Sequence, residues 1–205
     1  MAGFTACTTD RQLDTSTPGP LRQAPISASR RQAIVDEALF YRETSGIIYI
    51  KAQGHITANT CADLKTRVFA RLEAKPPVED ILIDLGDCEY MDSTFMGLLV
   101  GFNKRFLRQS EKPLSLLRPN ETCSKLLRTI GVLRLVNVRT DTITFPEPME
   151  NINTGHKAGT RLILNAHEDL IELSDENEQR FGVLRTILKD GLANEDDDQA
   201  PDIPD

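Results

Sequence analysis

Asp92, Ser93 and Thr94 stand together where a short apolar run, Ile81 to Leu85, passes through a polar turn into a long apolar pattern of helical spacing. Strand, hydroxyl-bearing turn and helix in that order put a serine among the unpaired N–H groups of a helix start, where the positive dipole end favours an oxygen or a phosphate. The chemistry this permits is modification. A phosphoryl group on Ser93, with Thr94 as the alternate hydroxyl, adds about −1.5 to −2 charges that a helix start tolerates without melting. Asp92 beside it deepens the negative patch. A partner that accepts a neutral hydroxyl against Met91, Phe95 and Met96 would then face a desolvated charge, so modification is expected to spare folding and abolish docking. In the plain alternatives Ser93 or Asp92 only caps the helix, and Asp84 only holds a nearby backbone N–H.

No catalytic set accompanies these residues, and an enzyme is not expected. His55, His156 and His167 are dispersed; His55 reads as a turn residue, and His167 with Glu168 and Asp169 reads as the polar face of a helix. Gly155-His-Lys-Ala-Gly159-Thr lacks the Gly-Lys-Ser/Thr ending of a phosphate loop. Cys7, Cys61, Cys88 and Cys123 include no C-x-x-C pair, so neither a disulfide framework nor a zinc knuckle is indicated, and neither metal nor cofactor is expected. The formal charge of −7 opposes a nucleic-acid surface, whose affinity comes from Lys and Arg neutralising phosphates. No apolar run is long enough to span a membrane and no secretory apolar segment opens the chain. A cytosolic address with protein partners is the expectation.

The elements that position Ser93 follow from pattern. Residues 1–33, rich in Thr, Ser, Pro, Arg and Gln, are expected to be a flexible arm. Leu39 to Tyr41 and Ile47 to Ile50 flank Thr44-Ser45-Gly46 as a hairpin. Gly54 is expected to end the second strand. Thr60 with Asp63 fits a helix start, and Leu64, Val68 and Leu72 continue that helix until Pro76-Pro77 stops it. Ile81 to Leu85 reads as a central strand. In the helix after Ser93, the residues Phe95, Leu98, Leu99, Phe102 and Phe106 share one face. A strand at 114–117, a helix at 121–130 closed by Gly131, and strand segments at 135–138 and 143–145 complete an alternating α/β pattern. Beyond Pro148, two amphipathic stretches, 162–173 and 181–188 with Ser174 as N-cap, form a helix pair available to dimerise or to clasp a partner. The acidic end, 193–205, is expected to be disordered.

The hairpin, the Ile81-Leu-Ile-Asp-Leu strand, the Met91-Asp-Ser-Thr turn, the Gly97-Leu-Leu-Val-Gly helix and Leu126-Leu-Arg-Thr-Ile-Gly-Val-Leu-Arg-Leu-Val together resemble the STAS domain of anti-sigma factor antagonists. The resemblance covers residues 34–147, leaving 148–192 as a helical extension. It implies a mixed β-sheet of about five strands flanked by helices, with extra C-terminal helices. It further implies a switch: the serine matching Ser93 is phosphorylated by a serine kinase that is itself the anti-sigma factor. The unmodified form binds that kinase and frees the sigma factor, and a PP2C-type phosphatase resets the system. Asp92 matches the acid before the serine, and Gly97 the glycine that lets the helix approach a neighbour. The chain departs from the family at Phe95, where glycine is usual, and at Gly54-His55-Ile56-Thr57, where the turn ordinarily carries an acid. His55 and Thr57 count with the partner-facing residues. Two other readings are a STAS scaffold component or soluble subunit of a membrane lipid transporter, and a nucleotide-binding enzyme, which the missing acid at Thr57 disfavours.

Overall fold

The computed structural model describes residues 37–152 and 157–197. The expected arm at 1–33, Gly155 and His156 of the glycine-containing loop, and the end of the acidic tail lie outside the described residues.

The chain opens with β1 (Ala38–Thr44) and β2 (Ile47–Ile56), paired antiparallel with Thr44 opposite Ile47. Ser45 at φ +52° and Gly46 at φ +73° supply the two left-handed residues that such a tight turn demands. Gly54 does not end β2. It sits inside the strand at φ +70°, beside a register shift against the next strand, so the glycine serves a bulge and the strand runs on to Ile56.

Helix α1 (Ala58–Glu73) buries Cys61, Leu64, Val68 and Leu72. Its N-cap is Thr57, three residues before the expected start, because Thr60 acts from within the first turn: its Oγ1 accepts from the Thr57 N–H at 3.2 Å. Then come β3 (Asp80–Met91), α2 (Ser93–Phe106), β4 (Ser115–Leu117) and α3 (Glu121–Ile130), which Gly131 closes at φ +93°. A 3-10 turn, Val132–Arg134, leads to β5 (Asn137–Arg139).

The sheet has six strands in the order β5-β4-β3-β2-β1-β6, with β3 at its centre and parallel pairing from β2 to β5. The added strand is β6 (Glu150–Asn151), which pairs antiparallel with Phe40 and Tyr41 of β1, so the segment after residue 147 contributes to the sheet. The expected strand at 143–145 does not form. Phe145 instead meets the Tyr49 ring edge-on, 5.1 Å between centroids.

Two helices follow, α4 (Thr160–Ile171) and α5 (Asp175–Asp197). Ser174 caps α5 as expected, its Oγ accepting from the Asn177 N–H at 3.2 Å. The helix extends to Asp197, so residues 193–197 are helical where a disordered tail was expected. Buried Asn177 donates to the carbonyls of Leu170 at 2.8 Å and Ile130 at 3.0 Å, fixing the start of α5 to α4 and to the end of α3. Among the described residues no helix is long and apolar enough to cross a membrane.

Candidate functional site

The turn between β3 and α2 is built around Asp92. Asp92 is the N-cap of α2, and its Oδ1 accepts from the Phe95 N–H at 2.9 Å. Its Oδ2 accepts from the Ala58 N–H at 2.7 Å, so one carboxylate serves the first turns of α2 and α1 together. That is the charge a helix N-terminus favours. Asp92 is therefore a cap shared by two helices, and the negative patch expected of it is already matched by backbone donors.

Ser93 is the first helical residue and does not cap its own helix. Its half-buried hydroxyl lies 2.8 Å from Nε2 of His167, on α4. The other ring nitrogen, Nδ1, is 2.8 Å from the Ile163 carbonyl, which can only accept, so Nδ1 carries the proton. In the neutral ring Nε2 is then the acceptor and the Ser93 O–H donates. His167 is only 2% exposed, contrary to the expectation of a solvated polar face. It packs edge-on against the Phe181 ring of α5, 5.1 Å between centroids.

Helix α4 reaches Ser93 because α2 presents a flat track to it. A Cβ on Gly97 would come 2.1 Å from the Ala166 carbonyl oxygen, and one on Gly101 would come 2.6 Å from an Asp169 carboxylate oxygen. One turn on, Lys104 pairs with Asp169 at 2.7 Å and Glu172 at 2.6 Å. Ser93, Gly97, Gly101 and Lys104 thus form one stripe at helical spacing dedicated to α4. Gly97 permits close approach as its type predicts, and the neighbour it admits is the C-terminal extension.

The other expected partner-facing residues are distributed differently. Met91 and Phe95 are fully buried and Met96 is 4% exposed, so all three belong to the core and offer no docking surface in this arrangement. Phe95, where the resemblance leads one to expect glycine, fills the interior beneath the turn. Thr94 is 3% exposed, which makes Ser93 the more reachable hydroxyl. His55 is exposed, with Nε2 3.6 Å from Glu89 and its ring 5.8 Å from that of Tyr90. Thr57 is occupied in capping α1. Thr57 also accepts, through its carbonyl, the Cys61 thiol at 3.0 Å; burial first and the nearby Asp92 charge second push that thiol up, so it stays protonated. Asp84 does more than hold a backbone group. It accepts from the Gly86 N–H at 3.0 Å and forms a forked pair with Arg118, at 2.5 and 3.2 Å.

His167 is the site residue that the sequence did not reveal. The signal that could have found it is its place among Ile163, Ala166 and Leu170, on the apolar side of α4. Among the described residues no group of His, Cys, Asp and Glu is arranged to hold a metal ion.

Residues 40–137 match the family model described as Mlab, STAS domain. No curated protein matches the sequence. Among solved structures, the chain is similar to a Thermotoga maritima protein described as a candidate anti-sigma factor antagonist. The identity is 24%, the match covers 50% of this chain and 86% of that one, and the TM-score is 0.44. It is also similar to the anti-sigma factor antagonist SpoIIAA in its unphosphorylated form, at 17% identity, 52% and 89% coverage and a TM-score of 0.43. The phosphorylated form of the Bacillus cell fate determinant SpoIIAA matches at 17% identity, 51% and 92% coverage and a TM-score of 0.42.

Proposed function

Since residues 40–137 belong to the STAS domain family, we propose that this chain is a protein-binding switch of the anti-sigma factor antagonist kind. Ser93 is its control point, and its own helix α4 competes for the docking face. The partner is an anti-sigma factor serine kinase, bound by the unmodified form so that a sigma factor is released. Phosphorylation of Ser93 ends that binding, and a PP2C-type phosphatase restores it. The observation that carries this reading is that the Ser93 hydroxyl, relieved of capping by Asp92, points away from its own helix to a side chain of another element.

Cover by α4 makes modification and closure mutually exclusive. A phosphoryl group needs room around Oγ that His167 occupies at 2.8 Å, and it would stand beside Asp92, whose oxygens already have backbone partners. Phosphorylated Ser93 therefore requires α4 to move off α2. A partner that docks at Ser93 must likewise displace α4, and its apparent affinity falls by the fraction of molecules that are open.

Calorimetry of the full chain against its partner kinase tests this. Ser93→Ala is expected to retain binding and Ser93→Asp to lose it, by more than about a hundredfold if an unpaired charge costs about 3 kcal/mol. Equal affinities for the two variants would overturn the proposal. A second reading, a STAS scaffold component or soluble subunit of a membrane lipid transporter, draws support from the close seat of α4 on Gly97. It requires no modification of Ser93, and it would be favoured if Ser93 stays unphosphorylated on Phos-tag gels while transporter subunits co-purify.

A further inference from the structure

Cys88 of β3 and Cys123 of α3 meet where the helix packs on the strand, with their sulfurs 3.8 Å apart. From this geometry we infer that the two thiols are a redox-sensitive pair, oxidised by hydroperoxides to an intramolecular disulfide. The inference stands independently of the role of Ser93.

Three observations support it. Disulfide formation brings the sulfurs to about 2 Å, so less than about 2 Å of approach remains, a distance that side-chain rotation can supply. Cys123 lies in the first turn of α3, where the unpaired N–H groups stabilise a thiolate. The Cys123 thiol lies 3.8 Å from the Cys88 sulfur and 3.4 Å from the Cys88 carbonyl, and its interaction with the Cys88 side chain lowers its pKa against the opposing effect of burial. Finally, Cys88 contributes to the wall of an open cleft of about 340 Å³ lined by Gln53, Gly86, Asp87, Cys88, Glu89 and Asn120, wide enough for a small peroxide. Cys88 and Cys123 are as fully buried as Cys61, so the peroxide reaches them only when the wall of this cleft opens locally; Cys61 itself is bonded to the Thr57 carbonyl.

The chemistry balances with a hydroperoxide as oxidant. The Cys123 thiolate attacks the peroxide oxygen and breaks the O–O bond; with hydrogen peroxide the departing hydroxide takes up a proton as water, and Cys123 becomes a sulfenic acid. The Cys88 sulfur then attacks the Cys123 sulfur, the S–OH bond breaks, the proton of Cys88 leaves with the hydroxyl as a second water, and the disulfide remains. Two electrons pass from the thiol pair to the peroxide. The covalent ring so closed runs from β3 through α2 and β4 to α3, with Ser93 inside it. A reducing thiol reverses the step.

The test uses the full chain treated with hydrogen peroxide, unfolded in an alkylating agent without reductant, and mapped by peptide mass spectrometry. The expected result is a linked pair of peptides carrying Cys88 and Cys123, protection of both thiols from alkylation, and an intact mass, read before alkylation, lower by about 2 Da, all reversed by dithiothreitol. Cys61→Ser should retain the linkage and Cys123→Ser should abolish it. The inference is overturned if Cys88 and Cys123 are both recovered alkylated under conditions that oxidise Cys7. It is equally overturned if either is linked to Cys7 or Cys61, or carries a sulfinic acid in place of the linkage.

Discussion

Helices α2 and α3 each begin after a strand of the parallel part of the sheet, and each is capped by a side chain that also reaches a second element. Asp92 serves the Phe95 and Ala58 N–H groups; Asn120 accepts from the Cys123 N–H at 2.8 Å and donates to the Cys88 carbonyl at 2.6 Å. What lies above the two starts differs. The first turn of α2 is roofed by α4, with His167 on Ser93 and Ala166 against Gly97. Near the first turn of α3 lies an open cleft. The cap determines that a helix starts, but the chemistry available there depends on what a remote segment covers. A hydroxyl under a helix waits on displacement of that helix, whereas a buried thiol pair behind a cleft needs only a local opening that admits a small oxidant.

The largest effect expected from breaking this comparison is at the fifth helical residue of each helix. Gly97→Val puts a side chain where even a Cβ would lie 2.1 Å from the Ala166 oxygen, so α4 must leave or α2 must shift. A loss of about 3 kcal/mol in urea unfolding is expected. Rapid proteolysis between residues 157 and 197 of the native protein should accompany it. Lys125 holds the equivalent place in α3 and is exposed; Lys125→Ala should stay within about 0.5 kcal/mol of the parent. Similar small losses at both positions would mean that α4 does not cover α2 in solution.

Exchanging the caps sharpens the comparison at an intermediate scale. Asp92→Asn leaves one oxygen for two N–H donors and turns an NH2 toward one of them. Asn120→Asp loses the donor to the Cys88 carbonyl and sets two oxygens against each other. Each should cost about 2 kcal/mol in urea unfolding, because a buried partner is left unsatisfied. A neutral result for Asp92→Asn would show that the bond to Ala58 is not formed.

A smaller effect is expected at the roof itself. Ser93→Ala leaves Nε2 of His167 buried without a donor and should cost about 1 kcal/mol. Combined with His167→Phe, the second substitution should cost less once the first is present, and strict additivity in the double-mutant cycle would deny the hydrogen bond.

How much of this was legible in the sequence depends on how far each contact reaches along the chain. The β3–α2 junction was readable because Ile81 to Leu85, Asp92 and the apolar face from Phe95 to Phe106 are contiguous, and Gly131 announced the end of α3 by type alone. The cap of α1 was misplaced from Thr57 to Thr60 because both threonines take part and only geometry ranks them. Strand β6 is two residues long, too short for any period, and forms only because β1 offers an open edge. His167 was unreadable for a different reason. Its partner lies 74 residues away, and beside Glu168 and Asp169 a histidine looks polar until the helix is set against α2. Met91, Phe95 and Met96 adjoin Ser93 in the sequence, which is why they read as partner-facing. Phe95 nevertheless shares the apolar face of α2 with Leu98, Leu99 and Phe102, and Met91, Phe95 and Met96 all belong to the core.

The smallest expected effect concerns the charge at the far end of the α4 track. Burial works against the Lys104 ammonium, but its hydrogen bonds to Asp169 and Glu172 outweigh that and hold its pKa above the ordinary lysine value. A folded-state pKa above the unfolded one means that the contribution is complete below the unfolded value of about 10.4 and vanishes as pH rises through the folded value. The side chain is 34% exposed, so solvent screening limits the contribution to about 1 kcal/mol or less. Urea midpoints of the parent and of Lys104→Met, followed from about pH 9 to about pH 12, should therefore converge as the lysine loses its proton. Tyr41, whose pKa burial and Glu43 push up to about 12, titrates in the same range in both proteins and cancels from the difference. A gap that stays constant across the range would assign the effect to the packing of the Lys104 stem, and α4 would then be held on α2 by the two glycines and His167 without help from charge.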